Sequence, residues 1–233
     1  MQLYSIRGST KEELEAKRYN IGVGVSLGNK WFTPENVLEL TKWSLKYTRE
    51  SVVVYIADTL HAINIEVRQA QSPENAREIA RKKGQVSLRE IQKLFNSEFS
   101  PEQLGKISYV TWDNLVDEKF KQKLVFLYSY FEKDQNFRNR LVEIIRGFVS
   151  REARSFSGEK LIRLSHYIIE ELPELVNRVK IGDIFYDAYA YPYDTEVTRL
   201  IDNIQKGTEF PEIKEVIMDT EPKIFLEVRY KIK

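Results

Sequence analysis

The sequence predicts an α/β fold: a Rossmann-like, doubly wound, mainly parallel sheet with helices on both faces. Three observations predict it. Ser51 to Ala57, SVVVYIA, is a continuous apolar run of strand length, the pattern of a parallel strand covered on both sides. Tyr19 to Ser26, YNIGVGVS, alternates apolar residues with two glycines, as a buried strand does. Between such runs stand repeated helix-start signals, so strands and helices alternate along the chain.

The elements follow in order. After the first strand comes a loop, LGNKWFT, which ends on Thr33-Pro34. A capping hydroxyl followed by proline at the first helical position starts a helix, expected to run to about Arg49 with Val37, Leu38, Leu40, Trp43, Ser44 and Tyr47 inward. Ser72-Pro73 starts another, in which Gly84 is expected to bend or divide the helix. Ser100-Pro101-Glu102-Gln103 has the form of a capping box. Lys106 to Thr111 reads as a third strand, followed by helices over about 117–131 and 137–154. A long helix covers about 158–176, with an interruption expected near Pro173. Ile184 to Tyr191 reads as a fourth strand, 194–205 as a helix and Lys223 to Lys231 as the last strand. We read all 233 residues as one domain.

Composition narrows the chemistry. The 36 basic and 35 acidic residues leave a net charge of +1, which does not suit a strongly basic nucleic-acid binder but permits a local basic patch. With no cysteine there are no disulfides, thiolate zinc sites, iron–sulfur clusters or cysteine nucleophiles, and two histidines, His61 and His166, cannot build a histidine-rich metal centre. The first residues carry charges early and form no signal-like apolar core, and no apolar run reaches the roughly 18 residues that span a bilayer. The expectation is a cytoplasmic, monomeric protein that contacts neither membrane nor DNA.

Parallel sheets bind ligands beyond the carboxyl ends of their strands. Ser26 ends the first strand there, and Gly28 lets the backbone turn tightly, so loop N–H groups could meet an oxyanion. The same residues also suit an ordinary strand–helix connection. The motif is neither GxSxG nor GxGxxG. Tyr167, Glu171 and Glu174 are spaced to share one helix face, as an ammonium site or as a solvated acidic stripe. The segment FYDAYAYPYDTEV concentrates Phe185, Tyr186, Tyr189, Tyr191 and Tyr193, either around a pocket or against the core. Arg77, Arg81, Lys82, Lys83, Arg89 and Lys93 face only Glu78 and Glu90, which suits phosphate contacts or a solvated helix face; Arg138 to Arg163 is a second stretch of this kind.

Three of these segments, VGVSLGNKWFT, HYIIEELPEL and AYPYDT, resemble in order and spacing the motifs of the cyclodipeptide synthase family, over roughly Ile21 to Thr195. The resemblance implies the catalytic-domain fold of class I aminoacyl-tRNA synthetases. It implies two aminoacyl-tRNAs as substrates, a diketopiperazine product, and no ATP, cofactor or metal; neither a HIGH-like nor a KMSKS-like motif is present. Ser26 would be the nucleophile of a ping-pong acyl transfer, with Tyr167 and Glu171 on the ammonium, Tyr191 relaying a proton or orienting, and Asn29 shaping the serine loop. A second aminoacyl-tRNA would join the acyl-enzyme, and the resulting dipeptidyl-serine would close and free Ser26. Pro192 points to the family's proline-type subgroup, although Asn29 matches the histidine-type one.

By register with the family, Gly24, Val54, Trp112, Glu174 and Tyr189 would line the pocket for the first amino acid. A carboxylate there is costly unless paired, so the expected first substrate is basic or polar, histidine or arginine before lysine. Arg151 near a second pocket would admit an acidic partner such as glutamate. The basic stretch 77–93 would contact tRNA, although Gly84 interrupts it. The rival readings are a non-catalytic, synthetase-like tRNA- or nucleotide-binding module and a serine hydrolase. Residues after about Gly207 carry no functional motif and are expected to close the fold.

Overall fold

The computed structural model describes residues 1–150, 152 and 155–230. A six-stranded sheet is built from β1 (Gln2–Arg7), β2 (Ile21–Val25), β3 (Val52–Ile56), β4 (Ile107–Thr111), β7 (Ala188–Tyr191) and β8 (Ile224–Arg229) in the order β1-β8-β7-β2-β3-β4. Every pairing is parallel except β1 with β8. A separate hairpin joins β5 (Val179–Ile181) to β6 (Ile184–Tyr186). The helices are α1 (Lys11–Glu15), α2 (Pro34–Tyr47), α3 (Ala62–Gln69), α4 (Pro73–Glu98), α5 (Pro101–Leu104), α6 (Trp112–Leu115), α7 (Glu118–Lys133), α8 (Gln135–Val149), α9 (Gly158–Val176), α10 (Glu196–Lys206) and α11 (Pro211–Ile217). A 3-10 turn, Thr59–His61, precedes α3.

Alternation along the strands divides the core into two layers. Ile21, Val23, Val25, Val52, Val54 and Ile56 face α2 and α4, where Leu40, Trp43, Ile91 and Phe95 receive them. The opposite side is covered by α7 to α11, around Leu141, Ile168, Leu172, Leu200 and Ile213. The capping signals act as read: Thr33, Ser72 and Ser100 each accept a backbone N–H, and Ser100 with Gln103 completes a capping box.

Three expectations are corrected. Gly84 neither bends nor divides its helix, since α4 is continuous; a Cβ there would lie 2.3 Å from Cβ of Asp58, so the glycine serves close packing. Pro173 does not interrupt α9. It lies in the last turn, where only one helical bond is lost, and buried Leu172, Leu175 and Val176 hold that turn. The stretch 184–191 is two strands rather than one. Between them Asp187 accepts the N–H of Asn20 at 3.1 Å, which turns the chain from the hairpin into the main sheet. The sequence reading also passed over β1, an antiparallel edge strand.

Candidate active site

The chain leaves β2 toward β3 on one side, while β7 continues to β8 on the other, so β2 and β7 flank the point where the winding reverses. Ligand crevices of doubly wound sheets open at such a point. Ser26 follows β2 directly, and Tyr191 ends β7.

The loop after Ser26 is held by its own side chains. Asn29 donates its N–H to the Ser26 carbonyl at 3.3 Å, and its Oδ1 accepts the N–H of Trp31 at 3.0 Å. Asn36 on α2 donates to the Trp31 carbonyl at 2.6 Å. Gly28 has φ of +94°, and a Cβ there would stand 2.7 Å from Cε1 of His61, so the position takes glycine for both reasons.

Helix α9 carries Tyr167 and Glu171 one turn apart. The Tyr167 phenol feels both Ser26 and Glu171 beside it, and the Tyr191 phenol feels Ser26 and Asn29, so these five side chains share one neighbourhood. All five side chains are half-buried, as groups lining a crevice are. The helix face is therefore not a solvated acidic stripe. Burial, with the charge of Glu174 adding to it, pushes Glu171 up to about 8. Burial and the Glu171 charge raise the Tyr167 and Tyr191 phenols far above their ordinary range, so both are neutral donors at physiological pH. Glu170 points elsewhere and accepts from Tyr128 at 2.9 Å.

Neither imidazole is bonded to Ser26 among the described residues. His61 packs on Gly28, and its buried Nδ1 has no hydrogen-bond partner there. His166 accepts from Arg163 at 2.8 Å between the rings of Tyr128 and Phe131. Burial lowers both to about 4, so they are neutral. The site thus offers a serine hydroxyl, two neutral phenols and a carboxyl whose pKa lies near that of an α-amino group. That set suits attack on an ester that is already activated, with an amine-bearing acyl group.

A family model described as cyclodipeptide synthase matches residues 7–210. The chain belongs to the cyclodipeptide synthases. No curated protein sequence matches it. Among solved structures, a cyclodipeptide synthase from Bacillus thermoamylovorans superposes with a TM-score of 0.70 at 18% identity, covering 95% of this chain and 92% of that one. A cyclodipeptide synthase from Fluoribacter dumoffii gives 0.68 at 16% identity, with 96% of each chain covered. A tyrosyl-tRNA synthetase from Archaeoglobus fulgidus gives 0.53 at 12% identity over 94% of this chain and 57% of that one, which places the fold beside the class I synthetase catalytic domain. As a cyclodipeptide synthase the chain is an aminoacyl-tRNA-dependent aminoacyltransferase.

The structure of this synthase brings some pocket residues together and not others. The Tyr189 hydroxyl occupies the space a Cβ would take at Gly24, 1.6 Å away, and a ring edge of Tyr55 comes within 2.2 Å of that place at Gly22. Val54 is the correction: it faces α2 and α4, because adjacent residues of a strand point to opposite sides, and Tyr55 holds the place expected of it. Trp112 borders the site through the apolar cluster that touches Tyr167. Glu174 is buried and already paired, with Lys223 just ahead of β8, and Lys223 also lies over the rings of Tyr55 and Tyr189 at 5.8 and 5.6 Å. The carboxylate therefore does not wait for a basic substrate to neutralise it. Arg151 lies outside the described residues.

On α4, Arg77 and Arg81 both grip Asp113 at 2.9 and 2.8 Å, and Lys82 pairs with Glu78 at 2.6 Å. Lys83, Arg89 and Lys93 are exposed and form no ion pair among the described residues. Much of the second basic stretch is tied down: Arg140 binds Glu196 and Glu209, and Arg163 binds Glu66. Sequence reasoning missed Lys223, Tyr55 and the contact of His61 with the serine loop. Counting by twos from Phe225 would have put Lys223 on the site face.

Proposed function

We propose that this synthase joins two aminoacyl groups through an ester on Ser26. The observation that carries the reading is the gathering of the Ser26 hydroxyl, the Tyr167 and Tyr191 phenols and the Glu171 carboxyl in one half-buried cluster at the ends of β2 and β7. The Ser26 oxygen attacks the ester carbonyl of the first aminoacyl-tRNA. The bond to the ribose oxygen breaks, and the serine proton passes through a phenol to that leaving oxygen. The N–H groups of Leu27 and Gly28 donate to no backbone carbonyl among the described residues, which leaves them available to a developing oxyanion.

The Glu171 carboxylate and the Tyr167 hydroxyl hold the ammonium of the seryl-bound amino acid. With a pKa near 8, Glu171 then takes its proton. The freed amine attacks the ester carbonyl of the second aminoacyl-tRNA, the second tRNA leaves, and a dipeptidyl ester remains on Ser26. The terminal amine of that dipeptide attacks the serine ester, closes the six-membered diketopiperazine and restores the Ser26 hydroxyl.

For the first amino acid, the Glu174–Lys223 pair presents a neutral polar floor rather than a bare carboxylate. Tyr55 adds a buried hydroxyl without a hydrogen-bond partner among the described residues. That floor favours a polar side chain with donor and acceptor, histidine ahead of arginine. An acidic second amino acid rests on Arg151 alone, and membership of the proline-type subgroup on Pro192. Lys83, Arg89 and Lys93 would follow the tRNA backbone, with Arg77, Arg81 and Lys82 flanking them.

The test is intact-protein mass spectrometry after mixing with one aminoacyl-tRNA at a time, followed by peptide mapping. A single aminoacyl adduct on the Ser26 peptide, absent in Ser26→Ala, is expected. An adduct that survives in Ser26→Ala, or cyclic dipeptide formed by that variant, overturns the reading. Product analysis from a mixture of aminoacyl-tRNAs then names both amino acids.

A further inference from the structure

From the catalytic end of β7 a run of aromatic rings climbs to the surface. Tyr191 meets Phe32 at 5.2 Å and Tyr193 at 6.3 Å. Tyr193 meets Trp31 at 6.3 Å, and Trp31 meets Tyr230 at 6.5 Å. The inner rings are half-buried, whereas Tyr193 and Tyr230 are 41% and 46% exposed. The run is anchored from beneath: Tyr230 donates to Oδ1 of Asn36 at 2.5 Å, and the same Asn36 side chain holds the Trp31 carbonyl. Lys30, next to Trp31, is exposed and forms no ion pair among the described residues.

We propose that these rings are the seat of the unpaired 3′-terminal nucleotides of the aminoacyl-tRNA, the terminal adenine stacking nearest Tyr191 and the preceding bases on Tyr193, Trp31 and Tyr230. The proposal rests on acyl transfer at Ser26. The acyl group is esterified to the terminal ribose, so whatever surface adjoins Tyr191 receives the base of that nucleotide. Aromatic faces bind single-stranded bases with little regard to sequence, and every tRNA delivers the same kind of unpaired end. A peptide partner would share the apolar contact but would have to occupy the entrance that the ribose must use. Lys30, exposed beside Trp31, offers such a strand a cation for a backbone phosphate. The basic face of α4 is a separate element and would hold another part of the tRNA.

The rings are tested by Tyr193→Ala, Tyr230→Ala and the double variant, with Tyr193→Phe as the conservative form. The first readout is direct binding of a short RNA ending in CCA, its terminal adenine replaced by 2-aminopurine, whose fluorescence is quenched on stacking. Quenching by the wild type, binding weakened roughly tenfold per ring removed, and recovery in Tyr193→Phe are expected. No quenching by the wild type, or equal binding by the double variant, overturns the proposal. The second readout is the ratio of kcat/KM for aminoacyl-tRNA to that for the cyanomethyl ester of the same amino acid, which has no nucleobase. The ratio falls at least tenfold in the double variant if the rings seat bases. A constant ratio means that they only support Tyr191, which also overturns it. If the wild type acylates from neither ester, acyl transfer at Ser26 has failed instead, and the binding readout still decides the role of the rings.

Discussion

Tyr167 and Glu171 sit one turn apart on α9, and the burial that keeps the phenol neutral also holds the neighbouring carboxyl near 8. This relationship fixes a pH profile. The carboxylate that receives the substrate ammonium forms only as the pH rises through about 8. Above that, the substrate α-ammonium, with an ordinary pKa of about 7.7–8.0, loses its proton. Serine loading measured as kcat/KM should therefore climb from pH 6, peak near pH 8 and fall beyond. Glu171→Gln should remove the rising limb and lower the peak by roughly 100-fold, the scale of a lost acid–base group.

The same carboxyl makes a stability prediction of definite sign. Its folded pKa is raised above the ordinary value of 4.5, so ionising it costs the folded state and not the unfolded one. Folding stability should fall as the pH rises from about 4.5 to about 8, then level off. Glu171→Gln is expected to be more stable than the wild type at pH 8 by at least about 1 kcal/mol, roughly 2–4 °C in Tm for a chain of this size. The gain should vanish at pH 4, where both states are protonated. Thermal unfolding at the two pH values checks it, and an equal Tm at pH 8 would contradict the raised pKa.

How far the sequence reached can be argued from particular residues. Strands β2 and β3 and the caps at Thr33, Ser72 and Ser100 were legible because their signals are local: apolar runs, glycines, and a hydroxyl before proline. The stripe Tyr167–Glu171–Glu174 was legible because helical spacing alone places it on one face. The exchange of Val54 for Tyr55 shows the limit. A continuous apolar strand offers no polar alternation to say which residues face the site, and one step of register moves a side chain to the other side of the sheet. Lys223 was hidden for a different reason. Its partner Glu174 is 49 residues away, and no local pattern announces a pair made by tertiary packing. His61 against Gly28 joins a 3-10 turn to the loop after β2, and the climb of rings from Tyr191 to Tyr230 joins segments far apart along the chain, so neither leaves a local pattern.

Gly28 carries two constraints that can be separated. Gly28→Ala should destabilise the fold by about 1–3 kcal/mol, since φ of +94° strains any side chain and the methyl group meets the His61 ring. In Gly28→Ala/His61→Ala the steric part is relieved and the backbone part is not. Denaturant unfolding of both single variants and the double variant should show a coupling of roughly 1 kcal/mol between the two positions. Strict additivity would mean that the ring moves aside freely.

Lys223→Met tests the floor of the pocket. Removing the ammonium leaves Glu174 buried without its partner, a change that costs about 3–5 kcal/mol. Lys223→Met/Glu174→Leu replaces both charges with apolar groups and should regain most of that loss, as buried pairs do when removed together. The double variant is also expected to change the first amino acid of the product toward an apolar one, read by mass spectrometry of the cyclic dipeptides. Restored stability with the wild-type product unchanged would show that the pair braces the fold without touching the substrate.

Salt dependence separates the two sets of cations on α4. Arg77 and Arg81 spend their charge on Asp113, so replacing them with alanine should cost stability as well as tRNA affinity. Lys83, Arg89 and Lys93 hold no carboxylate among the described residues, so they are the groups able to release counterions from RNA. Each phosphate contact contributes about 0.7–0.9 to the slope of log affinity against log salt. The triple alanine variant of Lys83, Arg89 and Lys93 should therefore flatten that slope by about 2 and weaken tRNA binding at low salt more than at high salt, with Tm held within about 1–2 °C. Binding titrations at several salt concentrations check it. A slope unchanged by the triple substitution would remove this face of α4 from the tRNA path, and would leave the run of rings from Tyr191 to Tyr230 as the part of the surface that receives it.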